Sequence, residues 1–340
     1  MTVTPKILIV APAWVGDAVL SQPLLRLLKA RTPEPTIDVL APPWTRAVFE
    51  RMAEVGAVHD LPFAHGELAL GRRRALGRRF AAHAYAQAFV LPNSLKSALI
   101  PFFAGIPRRT GYVGELRWGL VNDARRLDRQ ALPLMIERFA ALAGDAGTLL
   151  QRPLPPVALR ADAAARDASL ARLGLAARAK TAVLCPGAEY GPAKRWPAEH
   201  FGTIARRLHA DGWQVWLAGS PKDAAIGEAI TRAADGTCVN LCGRTTLAEA
   251  IDLMSCADHV VSNDSGLMHV AAALDRSLTA LYGSSSPAFT PPPSARARIL
   301  SIGIACSPCF RRECPLGHFD CMRKLTPDAV WRAIGEDACR

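Results

Sequence analysis

The chain has 340 residues, half of them hydrophobic and 21% charged, enough apolar mass for two cores rather than one. Its 41 Lys and Arg against 30 Asp and Glu leave a formal net charge of +11, which points to anionic partners: nucleic acid, an anionic membrane surface or a phosphorylated substrate. No apolar run approaches the ~20 residues of a membrane span, no repeat of solenoid period is present, and 6% aromatic residues without an RNA-module signature count against nucleic acid.

The residues Met1 to Lys6 lack the apolar core and cleavage site of a signal peptide, so a cytoplasmic protein with reduced or metal-bound cysteines is expected. Lys6–Val10 predicts a first buried strand, followed by a turn carrying Trp14, Gly16 and Asp17 and by a helical pattern over 18–30. Further strand-like runs cover 37–41 and 88–91. Between them stand Arg72, Arg73, Arg74, Arg78 and Arg79, readable as a solvated helix face or as an anion-binding patch. After the run 88–91 come Asn93, Ser94 and Lys96, then Arg109, Glu115 and Arg117, and a helical pattern over 134–142. One acid, Asp17, at a strand end amid these cations suits a base facing an anionic substrate, with Trp14, Lys96, Arg109 and Arg117 as its contacts. The proline-rich stretch 151–156 predicts a linker, giving an N-terminal acceptor-binding domain over 1–152 and a C-terminal donor-binding domain over 153–340.

The second half alternates strand-like runs at 181–185, 214–218, 239–242, 259–262 and 278–282 with helical patterns at 200–210 and 247–257. Near-continuous hydrophobic strands separated by helices predict an α/β fold with parallel sheets covered on both faces. The chemistry gathers at strand ends. The first loop holds Gly187, Glu189, Tyr190, Gly191, Lys194 and Arg195; its amides and Lys194 suit a diphosphate, although the Gly-Lys-Ser/Thr order of a P-loop is absent. Around Asp264, Ser265, Gly266 and His269 a strand ends and a helix begins, so the amides of Ser265, Gly266 and Leu267 are available to an anion and His269 lies one turn on. The competing reading makes Asp264 or Ser265 an ordinary cap and His269 a core residue. Ser220 with Lys222, and Thr245 beside the capping-box pattern Thr246…Glu249, complete a rim suited to a nucleotide. A dinucleotide dehydrogenase is disfavoured, because no GxGxxG with a distant ribose-binding acid occurs. Finally, Cys306, Cys309, Cys314 and Cys321 at C-x2-C-x4-C-x6-C spacing, with His318, suit a structural zinc or iron–sulfur site; packed reduced thiols are the alternative.

Taken together these stretches resemble the lipopolysaccharide heptosyltransferases of glycosyltransferase family 9. The resemblance runs through Ala11-Pro12-Ala13-Trp14-Val15-Gly16-Asp17, Leu91-Pro92-Asn93-Ser94-Leu95-Lys96-Ser97-Ala98, Pro186-Gly187-Ala188-Glu189-Tyr190-Gly191-Pro192-Ala193-Lys194-Arg195-Trp196-Pro197, Cys242-Gly243-Arg244-Thr245-Thr246-Leu247, Asn263-Asp264-Ser265-Gly266-Leu267-Met268-His269 and the cysteine segment. It implies a GT-B fold, two doubly wound Rossmann-like domains facing across a cleft, with the C-terminal helix free to pack back on the first. It also implies an inverting transferase using ADP-L-glycero-D-manno-heptose as donor and heptosyl-Kdo2-lipid A as acceptor, so that the second inner-core heptose is added. By the same resemblance Asp17 is the base, and Lys194 with the segment 264–269 holds the ADP part. With no acidic pair for Mg²⁺ in view, transfer without a metal or other cofactor is expected. The basic residues are expected to meet acceptor phosphate, Kdo carboxylates and anionic lipid at the inner face of the inner membrane, and not nucleic acid. Transfer to the first or third heptose position, and a non-catalytic module binding nucleotide and an anionic surface, stay open.

Overall fold

The structure is a computed structural model that describes residues 4–64, 66–176 and 180–338, so the reading of the N-terminus falls partly outside it. The chain divides into two compact units, Met1–Val157 and Ala158–Arg340. The linker itself is anchored in the first. Arg152 pairs with Glu137 at 2.7 Å and donates to the Ala131 carbonyl at 3.0 Å. Attachment to the second unit begins where the Leu159 amide donates to the Ala273 carbonyl at 2.9 Å.

The first unit contains strands β1 (Lys6–Val10), β2 (Thr36–Ala41), β3 (Ala57–Asp60), β4 (Gln87–Val90), β5 (Arg108–Tyr112) and β6 (Asp123–Arg125). They form one sheet in the order β3-β2-β1-β4-β5-β6, every pair parallel. Its helices are α1 (Val15–Leu20), α2 (Gln22–Lys29), α3 (Pro43–Glu50), α4 (Leu70–Phe80), α5 (Leu95–Phe103) and α6 (Met135–Ala141). The single helix expected over 18–30 is two. Pro23 has no amide hydrogen to continue the ladder, and the Ser21 hydroxyl caps the first piece by donating to the Ala18 carbonyl at 2.7 Å. Leu8, Leu40, Ala88, Phe80 and Ile100 make the core beneath α4 and α5. On α4, Arg73 is buried, donating to the Leu68 carbonyl at 2.6 Å, while Arg72, Arg74, Arg78 and Arg79 are exposed.

The second unit repeats the plan with β7 (Thr181–Cys185), β8 (Gln214–Leu217), β9 (Val239–Asn240), β10 (His259–Asn263), β11 (Ser277–Leu281) and β12 (Ala297–Leu300), in the order β12-β11-β10-β7-β8-β9. Its helices are α7 (Ala163–Leu173), α8 (Ala198–Ala210), α9 (Ala224–Ala233), α10 (Leu247–Met254), α11 (Gly266–Ala273), α12 (Asp320–Arg323) and α13 (Pro327–Ala338). The capping box at Thr246 forms as expected, its hydroxyl accepting from the Glu249 amide at 3.2 Å. Trp196, Phe201, Leu217, Val261, Leu281 and Met322 build the core. Val330 and Ile334 of α13 belong to that core, so the apolar face of the C-terminal helix is used inside the second unit.

In both sheets the strand order reverses at one point, between β1 and β4 and between β7 and β10. Loops leaving the carboxyl ends of two such strands splay to opposite faces, opening a crevice where ligands of doubly wound folds bind.

Candidate functional site

In the first unit the loops at that point are those after β1 and β4. Trp14 is the N-cap of α1, and Asp17 is the third residue of the helix, half-buried in its first turn, where the helix dipole favours a carboxylate. Trp44 holds the loop by donating its indole N–H to the Ala13 carbonyl at 2.7 Å. Across the switch point Lys96 is the second residue of α5 and half-exposed. Arg109 and Arg117, expected to face the acceptor, do other work. Arg109 donates to the carbonyls of Leu120 (2.7 Å) and Gly119 (3.0 Å). Arg117 is 3% exposed and donates to the Pro92 carbonyl at 2.6 Å, to the Asn93 side chain at 3.1 Å and to the Tyr112 carbonyl. Burial lowers the pKa of both guanidiniums, and the bonds named here fix the loops around α5, while Arg117 Nε is buried without a partner.

In the second unit the loops after β7 and β10 are stapled by Asn263. Its side chain donates to the Pro186 carbonyl at 2.7 Å and accepts from the Trp196 amide at 3.1 Å, so both ends of the Lys194 loop are tied to one residue. Trp196 anchors the far end, donating its indole N–H to the Leu325 carbonyl at 2.8 Å inside the core. Lys194 then reaches Asp264, 2.6 Å from Nζ to Oδ2, with Asp264 only 5% exposed. Ser265 is the N-cap of α11 but makes no side-chain cap, which leaves the first amides of that helix, at Gly266 and beyond, without an intrahelical acceptor. His269 is buried below them. Its Nδ1 has no hydrogen-bond partner, and desolvation, reinforced by Lys194 and opposed by Asp264, lowers its pKa to about 4, so the ring is neutral. The structure thus brings Lys194, Asp264, Ser265, Gly266 and His269 together.

The remaining predicted donor residues form a second group on the same sheet. Gly187 is a glycine for space: a Cβ there would lie 2.5 Å from Asp223 Oδ2. That carboxylate accepts from the Ser220 amide at 2.9 Å and hydroxyl at 2.7 Å, and Lys222 pairs with Glu189. Thr245 lines a small cavity with Leu241, Ala250 and Leu253 against α10. Two polar groups were missed by sequence reasoning. The hydroxyls of Ser284 and Ser285, just after β11, are buried without a partner, as is His269 Nδ1. Their signal was a polar run directly after an apolar strand, the cue that flagged the other loops.

Cys306, Cys309, Cys314 and Cys321 line one pocket with His318 and Ser284. The Cys314 sulfur accepts from the Phe319 amide at 3.4 Å, and that bond, with those from Leu316, His318 and Gly317, lowers its pKa, the environment of a thiolate ligand. Among the described residues, however, the only three ligand atoms of His, Cys, Asp or Glu lying within 4.8 Å of one another belong to Asp38, His59 and His83. There Tyr85 donates to Asp38 at 2.7 Å and lies 3.3 Å from His59, a hydrogen-bonded network that satisfies the buried carboxylate of β2.

The comparisons with known proteins bear on these sites. The model of glycosyltransferase family 9 (heptosyltransferase) matches residues 73–320. The chain belongs to glycosyltransferase family 9. As a family 9 transferase it is an enzyme, and the non-catalytic reading falls. It is 46% identical over 334 residues, 96% of both chains, to lipopolysaccharide heptosyltransferase 2 of Salmonella typhimurium strain LT2. It is 45% identical over the same length to the Escherichia coli K12 protein of that name. The solved structure of the E. coli ADP-heptose lps heptosyltransferase II aligns with a TM-score of 0.89 at 43% identity, covering 98% of both chains. The α/β, GT-B class expected from the sequence holds in this family 9 transferase, as two doubly wound six-stranded parallel sheets. No described helix is long and apolar enough to cross a membrane.

Proposed function

We propose that this family 9 transferase moves L-glycero-D-manno-heptose from ADP-heptose to heptosyl-Kdo2-lipid A with inversion, adding the second heptose of the lipopolysaccharide inner core. The names of its relatives support this reading. The observation that carries it is the constellation at the second switch point: a Lys194–Asp264 pair beside the open start of α11, with a neutral buried His269 whose Nδ1 lacks a partner. Such a group suits a diphosphate that gains charge as it leaves, because its dipoles and cation are held in place before reaction. Asp17 takes the proton of the acceptor hydroxyl while that oxygen bonds the anomeric carbon. The bond from that carbon to the diphosphate breaks, and ADP departs on the opposite face. The acceptor falls to the N-terminal domain, with Trp14 and Lys96, and the donor to the C-terminal domain.

The acceptor is lipid-linked, so the enzyme works at the cytoplasmic face of the inner membrane as a peripheral protein. The exposed arginines of α4, with Leu116 at 83% and Trp118 at 69% exposure, support contact with an anionic bilayer. The spacing of the four cysteines and the pocket they share carry the proposal of a structural zinc or iron site, which orders the segment, takes no part in transfer and needs their sulfurs drawn closer than the structure holds them; metal analysis of anaerobically purified protein tests this. The main test is ADP release from ADP-heptose with cores carrying no, one or two heptoses. Turnover is expected with the one-heptose core. Preference for the bare or two-heptose core would move the assignment to the first or third position. Asp17→Asn is expected to lower turnover by about 10³-fold or more while ADP still binds, and full activity in that variant would remove Asp17 as base.

A further inference from the structure

The donor loop is built against the cysteine segment. The Ala193 amide donates to the Arg312 carbonyl at 3.0 Å, and the Tyr190 hydroxyl donates to the Phe310 carbonyl at 2.8 Å. Gly191 packs so closely on the Arg312 backbone that no side chain fits there. These three contacts fix residue 312 relative to Lys194. Its side chain then joins the same aromatic ring: Arg312 Cζ lies 5.3 Å from the Tyr190 centroid and Lys194 Nζ 5.2 Å from it.

The charges around the loop are unequal in availability. Lys194 is neutralised by Asp264 at 2.6 Å and Lys222 by Glu189. Arg195 stands 3.8 Å from Asp223. Arg312 is exposed, and its described contact is the Tyr190 ring, with no carboxylate among the described residues paired to it. A diphosphate carries two or more negative charges. A lysine already balanced by a buried carboxylate offers it geometry but little net charge.

We infer that Arg312 is a second donor-binding cation, carried on the cysteine segment and set by Tyr190 and Gly191 to meet the diphosphate of the nucleotide sugar beside Lys194. The guanidinium supplies a planar, permanently charged fork to phosphate oxygens, which the compact ammonium of Lys194 cannot. The segment thereby gains a role beyond any metal it holds, since its backbone delivers this cation to the loop.

The inference rests on the reading of the second unit as an ADP-sugar site, and its test separates the two. Binding of ADP and of adenosine is measured on the full chain for wild type, Arg312→Ala and Arg312→Lys. The side chain is exposed and the backbone carbonyl that Ala193 uses is retained in both variants. The expected result is an ADP dissociation constant raised about ten-fold in Arg312→Ala, with adenosine affinity unchanged and Arg312→Lys intermediate. Unchanged ADP affinity in Arg312→Ala would overturn the inference, and so would a parallel loss for adenosine, which marks a merely structural effect on the loop. Wild-type protein that binds no ADP would overturn the donor-site reading and this inference with it.

Discussion

Lys194, Asp264 and His269 form one electrostatic unit, and each residue's role depends on the other two. Asp264 is 5% exposed and its carboxylate is matched by the Lys194 ammonium at 2.6 Å. Removing the cation alone leaves a buried charge unpaired. Lys194→Ala is therefore expected to destabilise the protein by about 2 kcal/mol and to weaken ADP binding. Lys194→Ala combined with Asp264→Ala is expected to recover most of the stability but none of the binding; denaturant titrations beside ADP titrations check this. If the double variant is as unstable as the sum of the singles, the pair is not coupled. His269 gives the unit a pH dependence of known sign. Its folded pKa of about 4 lies below the ordinary histidine value of about 6.5, so between those pH values the unfolded chain binds the extra proton. Stability from keeping this ring neutral is complete above pH ~6.5 and is lost as pH falls toward ~4, amounting to about 3 kcal/mol over the window. His269→Gln removes that contribution. The stability gap between wild type and variant is expected to narrow by this amount on acidification, and parallel curves would contradict it.

At the scale of elements, Gly187 and Asp223 join the β7 loop to the start of α9. The Asp223 carboxylate occupies the space a Cβ at 187 would need, and it is held there by the Ser220 amide and hydroxyl. Gly187→Ala is expected to cost about 2 kcal/mol through overpacking, read as a lowered midpoint in chemical denaturation, and Asp223→Ala in the same chain to relieve most of it. Failure of that rescue would mean the glycine serves something other than this contact. The same scale explains what the sequence discloses. Strands buried on both faces, such as β1, β7 and β10, read as near-continuous apolar runs and are all legible. β3, β5 and β6 carry His59, Arg108 and Asp123 because they lie at or toward the sheet's edges, where charge is tolerated, and they were not read as strands. The site loops were legible because polar residues follow each apolar strand directly. The fates of Arg109 and Arg117 were not, since an arginine's partners here are carbonyls brought from distant loops, and no local pattern distinguishes a guanidinium that binds backbone from one that awaits a ligand.

For the molecule as a whole, the excess of +11 is not absorbed by ion pairing. Arg74, Arg78 and Arg79 on α4 are exposed, and in the same unit the loop after β5 exposes Leu116 and Trp118. Arg109 links that loop to α5, lying 5.6 Å from the Phe102 ring while it holds Gly119 and Leu120. Exposed cations and exposed apolar side chains on one unit suit the headgroup region of an anionic bilayer, where the charge brings the protein to the surface and the apolar groups hold it. The two contributions respond differently to salt. Attraction between exposed charges fades as the Debye length shrinks, to about 8 Å at ~0.15 M, whereas apolar insertion does not weaken with it. The protein is therefore expected to sediment with phosphatidylglycerol vesicles at low salt, to be partly released as salt rises, and to ignore phosphatidylcholine vesicles. Leu116→Ser with Trp118→Ser is expected to remove the salt-resistant fraction, while Arg74→Ala with Arg78→Ala lowers the salt-sensitive one. Equal binding to neutral and anionic vesicles, or both double variants behaving as wild type, would overturn the proposed lipid contact through this surface.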